Sequence, residues 1–197
     1  MQTAIKHLRR KDKVLAGIIK PDSPTLKYRK RPHFEALVQI ILNQQLSGKA
    51  AQTIFDRVCH MLPKGKVTIP AIKNVSDSQL RKAGMSHAKI KAVRNVVTAV
   101  DSGALSFRKV SRMSDDDALI SLTAIKGIGN WTARIFLMFV LHREDLFPVG
   151  DGGIVRAMRQ LYGENIDSER MEEIAEKWRP YRTVACWYLW NHLDNGQ

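Results

Sequence analysis

Apolar residues in this chain recur at intervals of three and four, and strict alternation is nearly absent, a spacing that predicts helices and few strands. Phe34, Leu37, Val38 and Ile41 share one face of a helix that opens at about His33, with Pro32 at its start. The pattern breaks at Asn43, Gln44, Gln45 and Leu46. Ser47 can then cap a helix whose apolar face is Ala50, Ala51, Ile54, Phe55 and Val58. Residues 62–70, with two prolines and a glycine, read as a loop. Ser76 and Gln79 have the spacing of a capping box, and Gly84 stops the short helix they open. Ile90, Val93, Val97 and Val100 mark a helix near 87–101, ended by Gly103. Ser114 with Asp115, Asp116 and Asp117 opens the next, the acids sitting at its positive end, and it runs into Gly127. Further helices are expected at about 130–141, from Asp151 or Gly152 to near Gly163, at 168–178 and at 182–194. The predicted fold class is all-α, with no internal repeat.

Composition changes this picture through charge. The 197 residues are 44% hydrophobic and 26% charged, ordinary for a soluble protein of one domain or two small lobes. Lys and Arg number 32 against 19 acids, a net charge of +13, which implies a polyanionic partner, nucleic acid being the commonest. A membrane surface or a ribosomal location would suit the same charge. Ten of the basic residues fall in residues 1–31, against Asp12 and Asp22 alone. Residues 1–32 therefore read as a basic extension, a solubilising arm that also attracts phosphate, ahead of a helical core at 33–194. Cys59 and Cys186 both lie in apolar helical patterns and read as buried thiols, and no cysteine cluster has zinc or iron–sulfur spacing. The six histidines show no metal-ligand spacing either. There is no apolar run of bilayer length and no signal-peptide core, so an intracellular location is expected: cytoplasm or nucleoid in a bacterium, nucleus in a eukaryote.

Residues 122–154 carry the candidate chemistry. An apolar helix runs into Gly127-Ile128-Gly129, a second apolar helix starts at once, and a lone acid, Asp151, follows a short loop containing Phe147 and Pro148. Two glycines around an apolar residue let backbone amides approach a phosphate, so the turn reads as an anion grip on a helix N-terminus. On local chemistry alone Asp151, followed by two glycines, is an ordinary N-cap.

Leu122, Ile125, Gly127, Ile128, Gly129, Trp131, Thr132 and Ala133, together with Asp151 and the stretch Trp178, Arg179, Pro180, Tyr181, Arg182, Trp187, Tyr188, Leu189 and Trp190, resemble the helix–hairpin–helix DNA glycosylases. Within them the chain is similar to the alkylation-repair branch, the DNA-3-methyladenine glycosylase II family, over roughly residues 33–194. The resemblance implies an all-α, two-lobe glycosylase fold lacking an N-terminal β domain, with lobes at about 33–110 and 114–194 and Asp151 at the mouth of the cleft between them. It implies a monofunctional hydrolase of alkylated purines, chiefly 3-methyladenine and 7-methylguanine, flipped out of duplex DNA in base-excision repair.

The resemblance also assigns roles. Asp151 is the catalytic acid; Trp131, Trp190 and Ile135 line the base pocket; Lys126, Gly127, Ile128, Gly129, Thr132 and Lys49 contact DNA. Gln45 and Leu46 match the intercalating loop, although Gln44 and Gln45 also suit a helix end and Leu46 a core position. No cofactor is required and no iron–sulfur cluster is expected, while the backbone carbonyls of Thr123, Ile125 and Ile128 match a monovalent-cation site for Na+ or K+. Bifunctional relatives carry a Schiff-base lysine where this chain has Trp131, so no AP lyase activity is expected. Gly150 and Ile135 depart from relatives with a second acid and an aromatic there, which points to a narrower or different base range. The expected partner is double-stranded DNA containing alkylated bases, bound by a monomer. Two other readings stay open: a glycosylase for hypoxanthine, 1-methyladenine or a mismatched base, and a non-catalytic helix–hairpin–helix DNA-binding protein.

Overall fold

Every regular element among the described residues, 1–20 and 23–195 of a computed structural model, is helical. Asp22, counted above in the charge of the first segment, lies outside them. In chain order the helices are α1 (Gln2–Lys11), α2 (Lys13–Ile18), α3 (His33–Asn43), α4 (Gly48–Met61), α5 (Ile69–Lys73), α6 (Asp77–Lys82), α7 (His87–Asp101), α8 (Phe107–Val110), α9 (Asp115–Thr123), α10 (Asn130–Phe139), α11 (Gly152–Tyr162), α12 (Ser168–Glu176) and α13 (Arg182–Asn195). The expected caps form: Ser47 accepts from the Ala50 amide, the Ser76–Gln79 box closes in both directions, and Ser114 accepts from the Asp117 amide. No described helix is long and apolar enough to cross a membrane.

Within residues 33–194 two short α-helices fall where none was expected. Thr68 caps α5, and Pro70, which argued for a loop, occupies its first turn, where a missing N–H costs nothing. Ser106 caps α8. Cys186 is buried as expected, but Cys59 is only half-buried.

The helices gather into two units, and the division differs from the expected one. One unit is contiguous, Arg29–Leu141, and holds α3 to α10, with the hairpin inside it. Its core is built from Leu37 and Ile41 of α3, Val93 and Val96 of α7, and Phe136 of α10. The other unit joins Met1–Tyr28 to the residues from His142 onward. Its first 28 residues are not a loose arm. Ala4 and Leu8 lie one turn apart on the buried side of α1, and Leu15 and Ile19 continue that core, while Lys6, Arg9, Arg10, Lys11 and Lys13 stay exposed. The apolar positions are few and dense charge surrounds them, which hid the amphipathic pattern.

Asp12 fastens this discontinuous unit. It is 6% exposed. Its Oδ1 accepts from the amides of Val14 and Leu15, both at 3.0 Å, which caps α2. Its Oδ2 accepts from Tyr162 Oη at 2.8 Å and from the fully buried Trp178 Nε1 at 2.9 Å. Burial, and then the Asp12 carboxylate, push the Tyr162 phenol well above its ordinary pKa, so it stays a donor. Elsewhere in this unit, Arg182 and Thr183 hold the loop that precedes α11. Arg182 Nε meets Asp145 Oδ1 at 2.8 Å, and Thr183 Oγ1 donates to the Arg143 carbonyl at 2.7 Å and accepts from the Leu146 amide at 3.1 Å.

Candidate active site and phosphate grip

The contiguous unit carries the hairpin between α9 and α10. Its turn is closed by its own backbone, the Ile128 amide donating to the Ile125 carbonyl at 2.9 Å. Gly127 has φ +102°, and a Cβ there would stand 2.5 Å from Ala92 Cβ and 2.9 Å from Ala92 Cα. Glycine is therefore required twice, by the left-handed backbone and by the close seat on α7. α10 begins at Gly129 with no side-chain cap, and Lys126, Gly127, Gly129 and Asn130 are exposed. Uncapped first-turn amides at a positive helix end can hold a phosphate.

Ile128 and Thr132 do not present side chains to a ligand. Ile128 is buried and its amide is used inside the turn. Thr132 is 1% exposed and its Oγ1 accepts from Gln44 Nε2 at 2.7 Å. Thr132 thus offers only a backbone amide to the helix end. Lys126 and Lys49 are exposed and available as point charges.

The α3–α4 turn is tied to this hairpin. Gln44 Nε2 also reaches the Gly127 carbonyl at 3.3 Å. Beside Gln44, Gln45 is exposed with φ +54°, an uncommon value for a residue with a side chain, and Leu46 is 39% exposed. Leu46 is therefore not a core residue.

One face of α7 holds both elements: Lys89 Nζ donates to the Leu42 carbonyl at 2.7 Å, Ala92 seats Gly127, and Asn95 Nδ2 donates to the Lys126 carbonyl at 2.7 Å. Burial lowers the Lys89 pKa. Lys89 and Asn95 escaped sequence reading, and Gln44 was read only as a helix-end residue of the turn; the available signal was polar side chains next to apolar helix positions. Trp131 and Ile135, one turn apart on α10, are half-buried.

The discontinuous unit carries Asp151, which is 9% exposed. Its Oδ1 accepts from the Ile154 amide at 2.8 Å, so the acid is the N-cap of α11. The same oxygen accepts from Trp190 Nε1 at 2.9 Å. Trp190, expected as a pocket wall, therefore also orients the acid. Gly153 makes room for the pair: a Cβ there would lie 2.8 Å from Trp190 Cδ1, 2.9 Å from Nε1 and 3.1 Å from Asp151 Oδ1, whereas a Cβ at Gly152 meets nothing within 4 Å. Burial, and then the Asp151 charge, raise the Cys186 pKa well above its ordinary value, so this cysteine is a packed thiol and no nucleophile. Among the described residues no cluster of His, Cys, Asp and Glu could hold a metal ion.

Comparison with known proteins places this geometry in a group. A family model described as HhH-GPD superfamily base excision DNA repair protein matches residues 38–180. DNA-3-methyladenine glycosylase 1 of Schizosaccharomyces pombe is 32% identical over 171 residues, covering 85% of this chain and 75% of its own. A structure of 3-methyladenine DNA glycosylase from the same yeast, in complex with abasic-DNA, superposes with a TM-score of 0.87 at 30% identity, covering 98% of this chain and 97% of the other. A DNA-3-methyladenine glycosidase structure from Bacillus halodurans gives a TM-score of 0.80 at 37% identity, covering 96% and 88%.

Proposed function

This chain belongs to the HhH-GPD superfamily of base excision DNA repair proteins, and on that premise we propose that it is a DNA glycosylase excising alkylated purines, chiefly 3-methyladenine and 7-methylguanine, from duplex DNA. The observation that carries the reading is the buried Asp151 carboxylate, held at a helix start by the Ile154 amide and the Trp190 indole.

In the proposed mechanism the α10 N-terminus grips a backbone phosphate, with Lys126 and Lys49 adding charge. Gln45, with Leu46 beside it, fills the gap left by the flipped nucleotide. Trp131, Ile135 and Trp190 line the base pocket, where an indole face attracts a cationic alkylated purine. Alkylation at N3 or N7 already makes the purine a good leaving group. Its departure leaves an oxocarbenium-like sugar, which Asp151 stabilises while orienting water toward C1′. The bond broken is C1′–N; water supplies the new C1′ oxygen, and the released proton passes to solvent.

The carbonyls of Thr123, Ile125 and Ile128 are neutral oxygens suited to Na+ or K+, which would add fixed positive charge at the grip. With Trp131 in place of a nucleophilic lysine, the reaction stops at the abasic site. The protein acts as a monomer.

The test is chromatography of free bases released from methylated duplex DNA, with the strands then resolved. Release of 3-methyladenine and 7-methylguanine from unbroken strands is expected. Strand cleavage without added base would overturn the monofunctional reading. Release of hypoxanthine or 1-methyladenine alone would overturn the substrate assignment, and tight binding without any release would leave a DNA-binding protein.

The crowding at Gly153 yields a paired expectation. Gly153→Ala pushes Trp190 off Asp151 and lowers single-turnover base release by about 10²-fold, the scale of a misplaced catalytic group. Gly152→Ala, with open space around it, keeps release within a few-fold of wild type. Equal rates in the two variants would show that the Trp190 contact does not position the acid.

A further inference from the structure

The outer face of α1 carries charge that its packing does not use. A cavity of about 340 Å³ opens there, lined by Thr3, Lys6, His7, Arg10, Pro180 and Tyr181. Thr3, Lys6, His7 and Arg10 follow one another at helical spacing along one side of α1. Pro180 and Tyr181 come from the connection between α12 and α13, in the same unit.

Three properties of this cavity point to one kind of ligand. It is cationic: no acid lines it, and neither Lys6 nor Arg10 has an acidic partner among the described residues. By contrast, Arg179 and Arg182, beside Pro180 and Tyr181 in sequence, are both ion-paired with Asp145 and Glu176. One of its lining residues carries an unsatisfied polar atom: His7 Nε2 is buried with no hydrogen-bond partner, an arrangement that costs stability unless something supplies one. It has an aromatic wall: the His7 and Tyr181 rings meet edge-on, with centroids 5.4 Å apart and planes at 70°.

A tetrahedral oxyanion satisfies all three. Its oxygens can accept from the Lys6 ammonium and the Arg10 fork at once, and a turn of the His7 ring would bring Nε2 to it. A sugar or base attached to it would lie against Pro180 and Tyr181.

We propose that this cavity is a phosphate site, in a different unit from the hairpin, that takes a phosphodiester of a nucleic-acid strand or a free phosphate. The proposal does not depend on which base the protein excises, because an undamaged strand presents the same phosphate.

The experiment uses the full chain and two readouts. The first follows the His7 ring by NMR during titration with inorganic phosphate. The second measures affinity for an undamaged duplex across a range of salt. The variants are Lys6→Gln with Arg10→Gln, and His7→Phe, which keeps a ring against Tyr181. Arg9→Gln with Lys11→Gln removes equal charge from exposed positions of α1 outside the cavity.

For a DNA strand as the source, the slope of log affinity against log salt falls by about 0.9 in Lys6→Gln/Arg10→Gln, the value of one lost phosphate contact, and not in the Arg9/Lys11 pair. His7→Phe then weakens binding several-fold. For free phosphate as the source, the His7 signals shift with inorganic phosphate in wild type and not in Lys6→Gln/Arg10→Gln, while the DNA slopes stay equal. No shift with phosphate, together with slopes that are unchanged or fall equally in both charge pairs, would overturn the proposal.

Discussion

Asp151→Asn is expected to abolish base release, by about 10²-fold or more, while leaving duplex binding and thermal stability close to wild type. The separation follows from the geometry. Both bonds described at Asp151, from the Ile154 amide and from Trp190 Nε1, end on Oδ1. An asparagine carbonyl oxygen can accept both, and asparagine caps helices about as well as aspartate. The substitution therefore removes charge and keeps position. Single-turnover release from methylated duplex, fluorescence anisotropy with an undamaged duplex, and a thermal melt measure the three quantities. Release within a few-fold of wild type would reduce Asp151 to a helix cap. Asp151→Ala, by comparison, also loses the cap, with about 1 kcal/mol of stability.

The same aspartate-to-asparagine change at Asp12 is expected to have the opposite profile. There the donors are divided: two amides on Oδ1, and Tyr162 Oη and Trp178 Nε1 on Oδ2. An asparagine has only one acceptor oxygen, so its amino group must face one pair of donors. Asp12→Ala removes the cap, about 1 kcal/mol, and strands the Tyr162 and Trp178 donors at about 1–3 kcal/mol each. A loss of about 3–7 kcal/mol follows, read as a lower denaturant midpoint, and Asp12→Asn recovers little of it. A melt unchanged in either variant would show that the buried carboxylate is replaceable by water.

The two aspartates also show what a sequence can reveal. The hairpin was legible because its chemistry is local, glycines at a turn before a helix start, whereas Asp151 read locally only as a helix cap and took its role from the resemblance. Ser47, Ser76 and Ser114 announced their helices for the same reason. The Trp190 bond to Asp151 was not legible, since it joins positions 39 residues apart and depends on how α11 packs on α13. Asp12 is further removed, 150 residues from Tyr162 and 166 from Trp178. Within residues 1–31 it reads only as one of two acids among ten bases. The error over the first 28 residues has the same origin: Ala4, Leu8 and Leu15 are too sparse to outweigh the surrounding charge until their packing partners, far along the chain, are known. Pro70 misled for a different reason, because proline suits a first helical turn as well as a loop.

The joining of residues 1–28 to those beyond 142 sets an order of events during synthesis. The middle unit is contiguous and can fold once residue 141 has left the ribosome. α1 and α2 emerge first but must wait, with Leu8 and Leu15 uncovered, until Tyr162 and Trp178 follow. A ribosome stalled after the hairpin would thus present that turn without Asp151, which belongs to the unit completed only when the residues from 142 onward join residues 1–28.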